Sequence, residues 1–137
     1  MTEIKQVSVN EARELLGGVV FDDLSRVTMD YCLMMSVDIW AGFINSKLAC
    51  IWGIIPPTLM SYQAYLWLYT TDVIVGHEFI LVRHSQLVID ELLEHYQDIV
   101  GHATMGSDKS IRWLKWLGAK FGTPQGTNVP FRISRYG

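Results

Sequence analysis

The chain has 137 residues, of which 50% are hydrophobic and 18% charged, and it carries a formal net charge of −3. This length and composition predict one globular domain over residues 1–137 and exclude a disordered chain. The acidic balance excludes the basic footprint of a nucleic-acid-binding domain. The longest apolar run, residues 48–60, is interrupted by glycine and proline and is too short to span a membrane.

The first predicted strand covers residues 4–7, and a helix follows it. Ser8 and Glu11 have the spacing of a capping box, in which each side chain accepts a hydrogen bond from the other residue's backbone N–H. This pattern predicts a helix that begins just after Ser8 and ends at Gly17.

Two acids, Asp22 and Asp23, predict the cap of a second short helix that ends near Asp30. From there the apolar side chains alternate, which predicts a strand over residues 31–41. Asp38 is an acid inside this apolar stretch, so its carboxylate must find a partner or reach water at a sheet edge. Both interpretations of Asp38 stay open.

A polar segment around Asn45 separates two apolar runs and predicts a hairpin turn over residues 43–47, because asparagine tolerates positive φ. The return strand covers residues 48–55, and a third, aromatic strand covers residues 62–69. All three predicted strands are apolar on both faces, which indicates a sheet covered on both sides.

The two cysteines, Cys32 and Cys50, are not expected to form a disulfide. The hairpin would place Cys50 opposite about Ala41, far from Cys32. So few cysteines, together with no apolar segment at the N-terminus, predict a reducing, intracellular compartment.

A long helix is predicted over residues 79–99, after a connector of residues 70–76. Its apolar side chains share one face, and its acids lie largely on the opposite side. We interpret these acids as a solvated helix face and not as an acid–base pair. A short strand over residues 100–105 follows.

A second amphipathic helix begins at Asp108, which is predicted to be its N-cap, and ends at Gly118, which can adopt positive φ. The last two predicted strands cover residues 120–121 and 129–135. The predicted order is therefore β-α-α-β-β-β-α-β-α-β-β. The four histidines are scattered without metal-ligand spacing, so no metal site is predicted.

This order resembles that of the GNAT superfamily of acyltransferases over nearly the whole chain. Many members carry Asn, then Ala, a bulky residue and Tyr, and then Gly-Phe at the start of the next strand, and residues 110–121 follow a similar rhythm. The resemblance implies an α+β fold with a mixed, mostly antiparallel sheet of six or seven strands flanked by about four helices.

A narrower likeness is to small GNAT-like proteins of short-tailed bacteriophages, some of which are internal virion or head-assembly proteins. The shared landmarks are a Trp-Gly strand, a strand ending Trp-Leu-x-Thr, an Arg-x-Ser helix start and a Trp-Leu-Lys-Trp-Leu-Gly helix. Here they are residues 51–53, 67–70, 83–85 and 113–118. The likeness implies a location in the virion or host cytoplasm. The implied partners are other phage structural proteins or a second copy, without nucleic acid or membrane.

A GNAT enzyme holds the pyrophosphate of acetyl-CoA with backbone N–H groups of a Gln/Arg-x-x-Gly-x-Gly/Ala loop before the long helix. Residues 71–78 stand there, with one glycine and two acids, Asp72 and Glu78. An acid beside a pyrophosphate is unfavourable, so no cofactor is expected. If acetyl-CoA binds, the resemblance places it at Tyr69, Thr70, Val75, Gly76 and His77.

The resemblance also places a general-acid tyrosine at the position of Leu114, and leucine cannot return a proton to a leaving thiolate. No catalytic residue is therefore predicted. If the chain is nevertheless an enzyme, His77 and Asp38 are the candidates that remain.

The sequence supports three candidate functions. The first is a phage protein with a degenerate acetyl-CoA site that acts through protein contacts in virion assembly or as a virion component. For that function, Tyr62, Tyr65 and Trp116 are the predicted partner-binding aromatics. The alternatives are an active acetyl-CoA-dependent N-acyltransferase and a host-takeover protein that binds a host factor.

Overall fold

The computed structural model describes residues 2–17, 23–57, 63–104, 108–126 and 128–134. The elements, in chain order, are β1 (Thr2–Val7), α1 (Val9–Leu16), α2 (Asp23–Met35), β2 (Asp38–Ile44), β3 (Lys47–Ile55), β4 (Ala64–Thr70), a short 3-10 helix (Asp72–Ile74), α3 (Glu78–His95), β5 (Asp98–Thr104), α4 (Asp108–Trp116), β6 (Lys120–Phe121) and β7 (Asn128–Ser134). The predicted order of strands and α-helices is confirmed.

The seven strands form one sheet in the order β1-β2-β3-β4-β5-β7-β6. Only β4 and β5 run parallel; every other neighbouring pair is antiparallel. This confirms the predicted mixed, mostly antiparallel sheet. The single parallel pair arises because α3 is the crossover connection that returns the chain to the edge of the sheet where β4 began.

The sheet is covered on both faces, as its doubly apolar strands predict. One core joins α3 and α4 to the sheet and includes Trp52, Leu81 and Trp113. The other core joins α1 and α2 to the opposite face and includes Leu33 and Trp67. Because both faces are buried, a one-residue slip in register would exchange the side chains that belong to each core.

Two local predictions are confirmed in atomic detail. Ser8 Oγ accepts from the Glu11 N–H at 3.1 Å, and Glu11 Oε1 accepts from the Ser8 N–H at 3.1 Å. The Ser8 backbone N–H and, after it, the Ser8 hydroxyl lower the pKa of the Glu11 carboxyl. In the β2–β3 hairpin, Asn45 and Ser46 both have positive φ, at 50° and 69°, as a tight two-residue turn requires.

The strand predicted over residues 31–41 is wrong in its first half. Helix α2 continues past Asp30 to Met35, and β2 begins only at Asp38. The apolar positions at Met29, Cys32 and Leu33 also fit a helical face, and they pack together in the α1/α2 core. A short apolar run fits both periods, and here packing against the sheet selects the helix.

The long helix is also shorter than predicted. It ends at His95, and Tyr96 already has extended backbone angles. Ile99, predicted on its apolar face, lies instead in β5. At the other end of β5, α4 begins at Asp108 and is followed by Gly118 with φ of 91°, as predicted. The predicted cap at Asp108 depends on residues outside the described ranges.

Both cysteines are free and buried. Cys50 pairs with Gly42, one residue from the predicted Ala41, because the ladder is irregular between Gly42 and Phe43. Burial raises the pKa of the Cys50 thiol to about 12, so this thiol stays protonated. Within the described ranges, none of the helices has the length and apolarity needed to cross a membrane.

Gly101 lies where β4 and β5 approach closely, and a substitution there tests that approach. A Cβ at this position would overlap the carbonyl oxygen of Leu66 and lie 2.6 Å from the ring of Phe131. Gly101→Ala should therefore lower the free energy of unfolding by about 3 kcal/mol, as overpacking a buried site does. Chemical denaturation measures this change.

Gly17→Ala is the matched control, because Gly17 is exposed and has ordinary helical angles. Its effect should lie within about 0.5 kcal/mol of zero. Equal stabilities for the two variants would contradict the close approach of the strands.

Candidate functional site

The sheet opens between β4 and β5. The two strands pair only at Ala64–Ile99 and Tyr65–Val100, although they continue to Thr70 and Thr104. Strands that stop pairing leave backbone groups free, so an opening of this kind can receive an extended ligand or be filled by side chains.

On the α3/α4 face, side chains fill the region beside the opening. Helix α4 contacts both β4 and β5, and its Trp113 and Leu114 are almost fully buried. The space left there measures about 10 Å³, roughly one water molecule. Its lining is Trp52, Leu66, Leu68, Ser85, Ile89, Trp113, Leu114 and Leu117. This interior site is apolar and has no room for a group as large as a pantetheine arm.

Several backbone N–H groups of the loop between β4 and α3 donate to acceptors in the loop itself. The Val73 N–H donates to Thr71 Oγ1 at 3.3 Å, and the Ile74 N–H donates to the Thr71 carbonyl at 3.2 Å. The N–H groups of Val75 and His77 donate to the carbonyls of Asp72 and Ile74, at 3.2 and 2.9 Å. Four amides of this loop are therefore already engaged within it.

Five residues were predicted to touch acetyl-CoA if it binds, and all lie around this loop. Tyr69 and Thr70 are half-buried at the end of β4. Val75 is 55% exposed, Gly76 has φ of 85°, and His77 precedes α3 without a side-chain cap bond. Tyr69 packs on the α1/α2 face of the sheet, whereas Val75, Gly76 and His77 directly precede α3.

Asp38 and His77, the fallback catalytic candidates, lie toward opposite ends of β3. Asp38 pairs with Ile54 near the end of β3, whereas Thr71, which leads to His77, donates its N–H to the carbonyl of Ala49. The five residue steps from Ala49 to Ile54 span about 16 Å of strand. Asp38 is half-buried at the start of an interior strand and accepts a hydrogen bond from Gln6 Nε2 at 2.6 Å.

A polar pair lies on the other face, where β4 and β5 are still paired. Tyr65 Oη and His102 Nδ1 are 3.2 Å apart, with ring centroids separated by 5.9 Å. Burial, and then the charge that the Cys32 thiolate would carry, raise the pKa of Tyr65. The phenol thus stays protonated, and the imidazole tautomer decides whether Tyr65 Oη or His102 Nδ1 is the donor. Such a pair can hold and pass a proton.

A second polar contact joins β4 to the end of α2. Trp67 Nε1 donates to Ser36 Oγ at 2.6 Å, and Ser36 Oγ donates to the Cys32 carbonyl at 2.6 Å. Trp67 packs flat on Gly53, where a Cβ would lie 2.6 Å from the indole. Sequence reasoning missed this contact and the Tyr65–His102 bond, because residues more than thirty positions apart leave no local pattern.

Of the predicted partner-binding aromatics, Tyr65 and Trp116 lie on opposite sides of the sheet. Tyr62 lies outside the described residues. Tyr65 is half-buried in the α1/α2 core, whereas Trp116 is 44% exposed on α4, across the sheet. Trp116 instead contacts Phe79 of α3 edge to face, with centroids 6.0 Å apart. That exposed contact was not predicted.

Metal ligation finds no support in the described ranges, where no three His, Cys, Asp or Glu side chains are grouped to hold an ion.

No model of a protein family and no curated protein matches the chain. Among solved structures, it is similar to the acetyltransferase of the GNAT family from Streptococcus pneumoniae, at 12% identity and a TM-score of 0.67, covering 98% of this chain and 99% of that one. It is similar to an N-acetyltransferase from Staphylococcus aureus, at 10% identity and 0.65, covering 100% and 99%.

A third similar structure is the Campylobacter jejuni N-acetyltransferase PseH in complex with acetyl coenzyme A, at 11% identity and a TM-score of 0.60, covering 97% and 99%. Identities this low show the fold alone. The chain has the fold of the GNAT acetyltransferases.

Tyr65→Phe isolates the ionisation of the Tyr65 phenol. The difference between the ultraviolet titrations of the native protein and this variant should show one phenol that ionises above its ordinary pKa of 10.0. In denaturant the same difference should return to the ordinary value, because burial is lost. A native phenol that ionises at or below the ordinary value would contradict the buried Tyr65–His102 pair.

Proposed function

We propose that this chain is a bacteriophage protein in which the GNAT fold serves protein contacts, and that its acetyl-CoA site is degenerate. It acts in virion assembly or as a component of the virion, and is found in the virion or the host cytoplasm. The phage assignment rests on the four sequence landmarks. The degenerate site rests on the geometry of the β4–α3 loop.

The observation that carries the proposal is the internal hydrogen bonding of this loop. A pyrophosphate is held by backbone N–H groups that point outward from the loop and from the helix start. Here the N–H groups of Val73, Ile74, Val75 and His77 point back to acceptors in the loop itself. Binding a pyrophosphate would require the short 3-10 helix to open, which costs about 1 kcal/mol for each bond broken.

Leu114 adds independent support. It is 1% exposed and lines the small apolar cavity beneath α4. A hydrocarbon side chain offers no proton, and a thiolate leaving group would meet no donor from this side chain.

The Tyr65–His102 pair favours a second candidate, an acetyl-CoA-dependent N-acyltransferase. The two side chains lie next to the opening of the sheet, and His102 is exposed and able to accept a proton from an amine. Under this candidate, acetylation of lysine peptides or small amines would depend on His102 and fall in a His102→Gln variant. Mass spectrometry of the products distinguishes the two candidates.

Titration of the purified protein with acetyl-CoA in a calorimeter tests the degenerate site. We expect no binding in the micromolar range, because the loop amides are engaged and Asp72 adds negative charge. An active GNAT acetyltransferase measured in parallel is the positive control. Saturable binding with a micromolar Kd would refute the degenerate site.

The assembly role is tested separately, in phage particles. Mass spectrometry of purified heads and mature virions should detect the chain in at least one of them at a fixed ratio to the major capsid protein. Its absence from both, with a stoichiometric host protein recovered on the purified chain, would replace assembly with host binding.

A further inference from the structure

The outer face of α3 carries apolar side chains that nothing in the described chain covers. Leu87, in the middle of the helix, is 72% exposed, the highest value among the large apolar side chains of the described residues. Ile80 lies two turns earlier on the same face and is 44% exposed. Exposed leucine and isoleucine at this spacing are typical of a contact surface.

The charged residues on this face change sign at Leu87, from basic before it to acidic after it. Arg83 and His84 are exposed on its N-terminal side. Asp90, Glu91 and Glu94 are exposed on its C-terminal side. The basic and acidic segments each lie within two turns of Leu87, so the face has opposite charge at its two ends.

We propose that this face binds a second copy of the chain, with the two α3 helices antiparallel and the two-fold axis passing at Leu87. An antiparallel pair centred on Leu87 sets each residue before it against a residue equally far after it in the other copy. Arg83 then lies opposite Glu91 of the second copy and His84 opposite its Asp90, and the symmetry makes each contact twice. The two Leu87 side chains meet at the axis.

The surrounding surface fits this arrangement. Leu87, Ile80, Phe79, Arg83 and His84 line an open groove of about 520 Å³ along the helix. Phe79 is 61% exposed at the far end and is backed by Trp116 of α4. In the pair, the grooves of the two copies lie on either side of the two-fold axis, with Phe79 and Ile80 of each copy flanking the contact at Leu87.

Charge favours a second copy over other occupants. An acidic peptide would pair with Arg83 and His84 but would be repelled by Asp90, Glu91 and Glu94. A parallel second copy would oppose like charges along the whole helix. Only the antiparallel copy satisfies both segments at once. This inference does not depend on whether acetyl-CoA binds.

One pair of helices buries less area than a standard interface, so the dimer should be weak, with a Kd of roughly micromolar order. Sedimentation velocity of the full chain over a concentration series should show a reversible monomer–dimer equilibrium. A chain that stays monomeric up to about 1 mM, where even a millimolar Kd would show, would overturn the proposal.

Leu87→Glu should weaken the dimer at least about tenfold, because it sets two carboxylates at the axis. Met34→Glu is the matched control: Met34 is 68% exposed on α2, across the sheet, and its replacement should leave the dimer unchanged. Circular dichroism checks that both variants are folded. Dissociation by Met34→Glu but not by Leu87→Glu would contradict the α3 interface.

A charge exchange tests the antiparallel register. Arg83→Glu and Glu91→Arg should each weaken self-association, because each sets like charges against one another in the homodimer. A mixture of the two variants should regain a dimer, because the mixed pair opposes the introduced Glu to the introduced Arg on one side and leaves the native Arg83–Glu91 contact on the other. Failure of the mixture to associate more tightly than either variant alone would contradict the proposed register.

Discussion

Trp52 occupies the middle of the sheet, and the position of α4 depends on it. Its indole stacks on Trp40 of the neighbouring strand, with centroids 6.1 Å apart, and meets Trp113 of α4 edge to face at 5.4 Å. Each such aromatic pair contributes about 1 kcal/mol beyond the area that it buries. The indole N–H groups of Trp52 and Trp113 have no acceptor among the described residues, a cost that the tight packing must offset. With Trp113 held in this way, the next residue, Leu114, is also directed inward.

This packing divides the molecule by face. On the α3/α4 side, Trp113 and Leu114 make the region beside the opening a continuation of the core, and the large apolar side chains exposed on that side include Phe79, Ile80 and Leu87 of α3. On the α1/α2 side, polar side chains form hydrogen bonds with one another: Tyr65 with His102, and Trp67 with Ser36. The same sheet thus separates an apolar interior from a small polar site. The residues of the four sequence landmarks contribute to this packing, since Trp52, Ser85 and Trp113 line one cavity and Trp67 lies against Gly53.

The features that sequence reasoning predicted well are those with a local cause. The capping box at Ser8, the turn at Asn45 and the stop at Gly118 each depend on residues within a few positions of one another. The order of elements follows from hydrophobic period and turn residues, and it was correct throughout the described ranges. The error at residues 31–35 has the opposite origin: a five-residue apolar run fits a strand and a helix equally, and only packing on the sheet selected α2. For the candidate site, the sequence located the β4–α3 loop but not what its amides do.

The sequence by itself determined the element order, the doubly covered sheet, the hairpin register to within one residue and the absence of a glycine-rich phosphate loop. These depend on side-chain period, backbone freedom and residue type, which can be read from neighbouring positions. Only the tertiary structure decided which polar groups meet. Tyr65 reaches His102 and Trp67 reaches Ser36 across more than thirty residues, Asp38 and His77 lie toward opposite ends of β3, and the loop amides turn inward. Such contacts depend on strand order and on where the strands separate, and no local pattern in the chain specifies either.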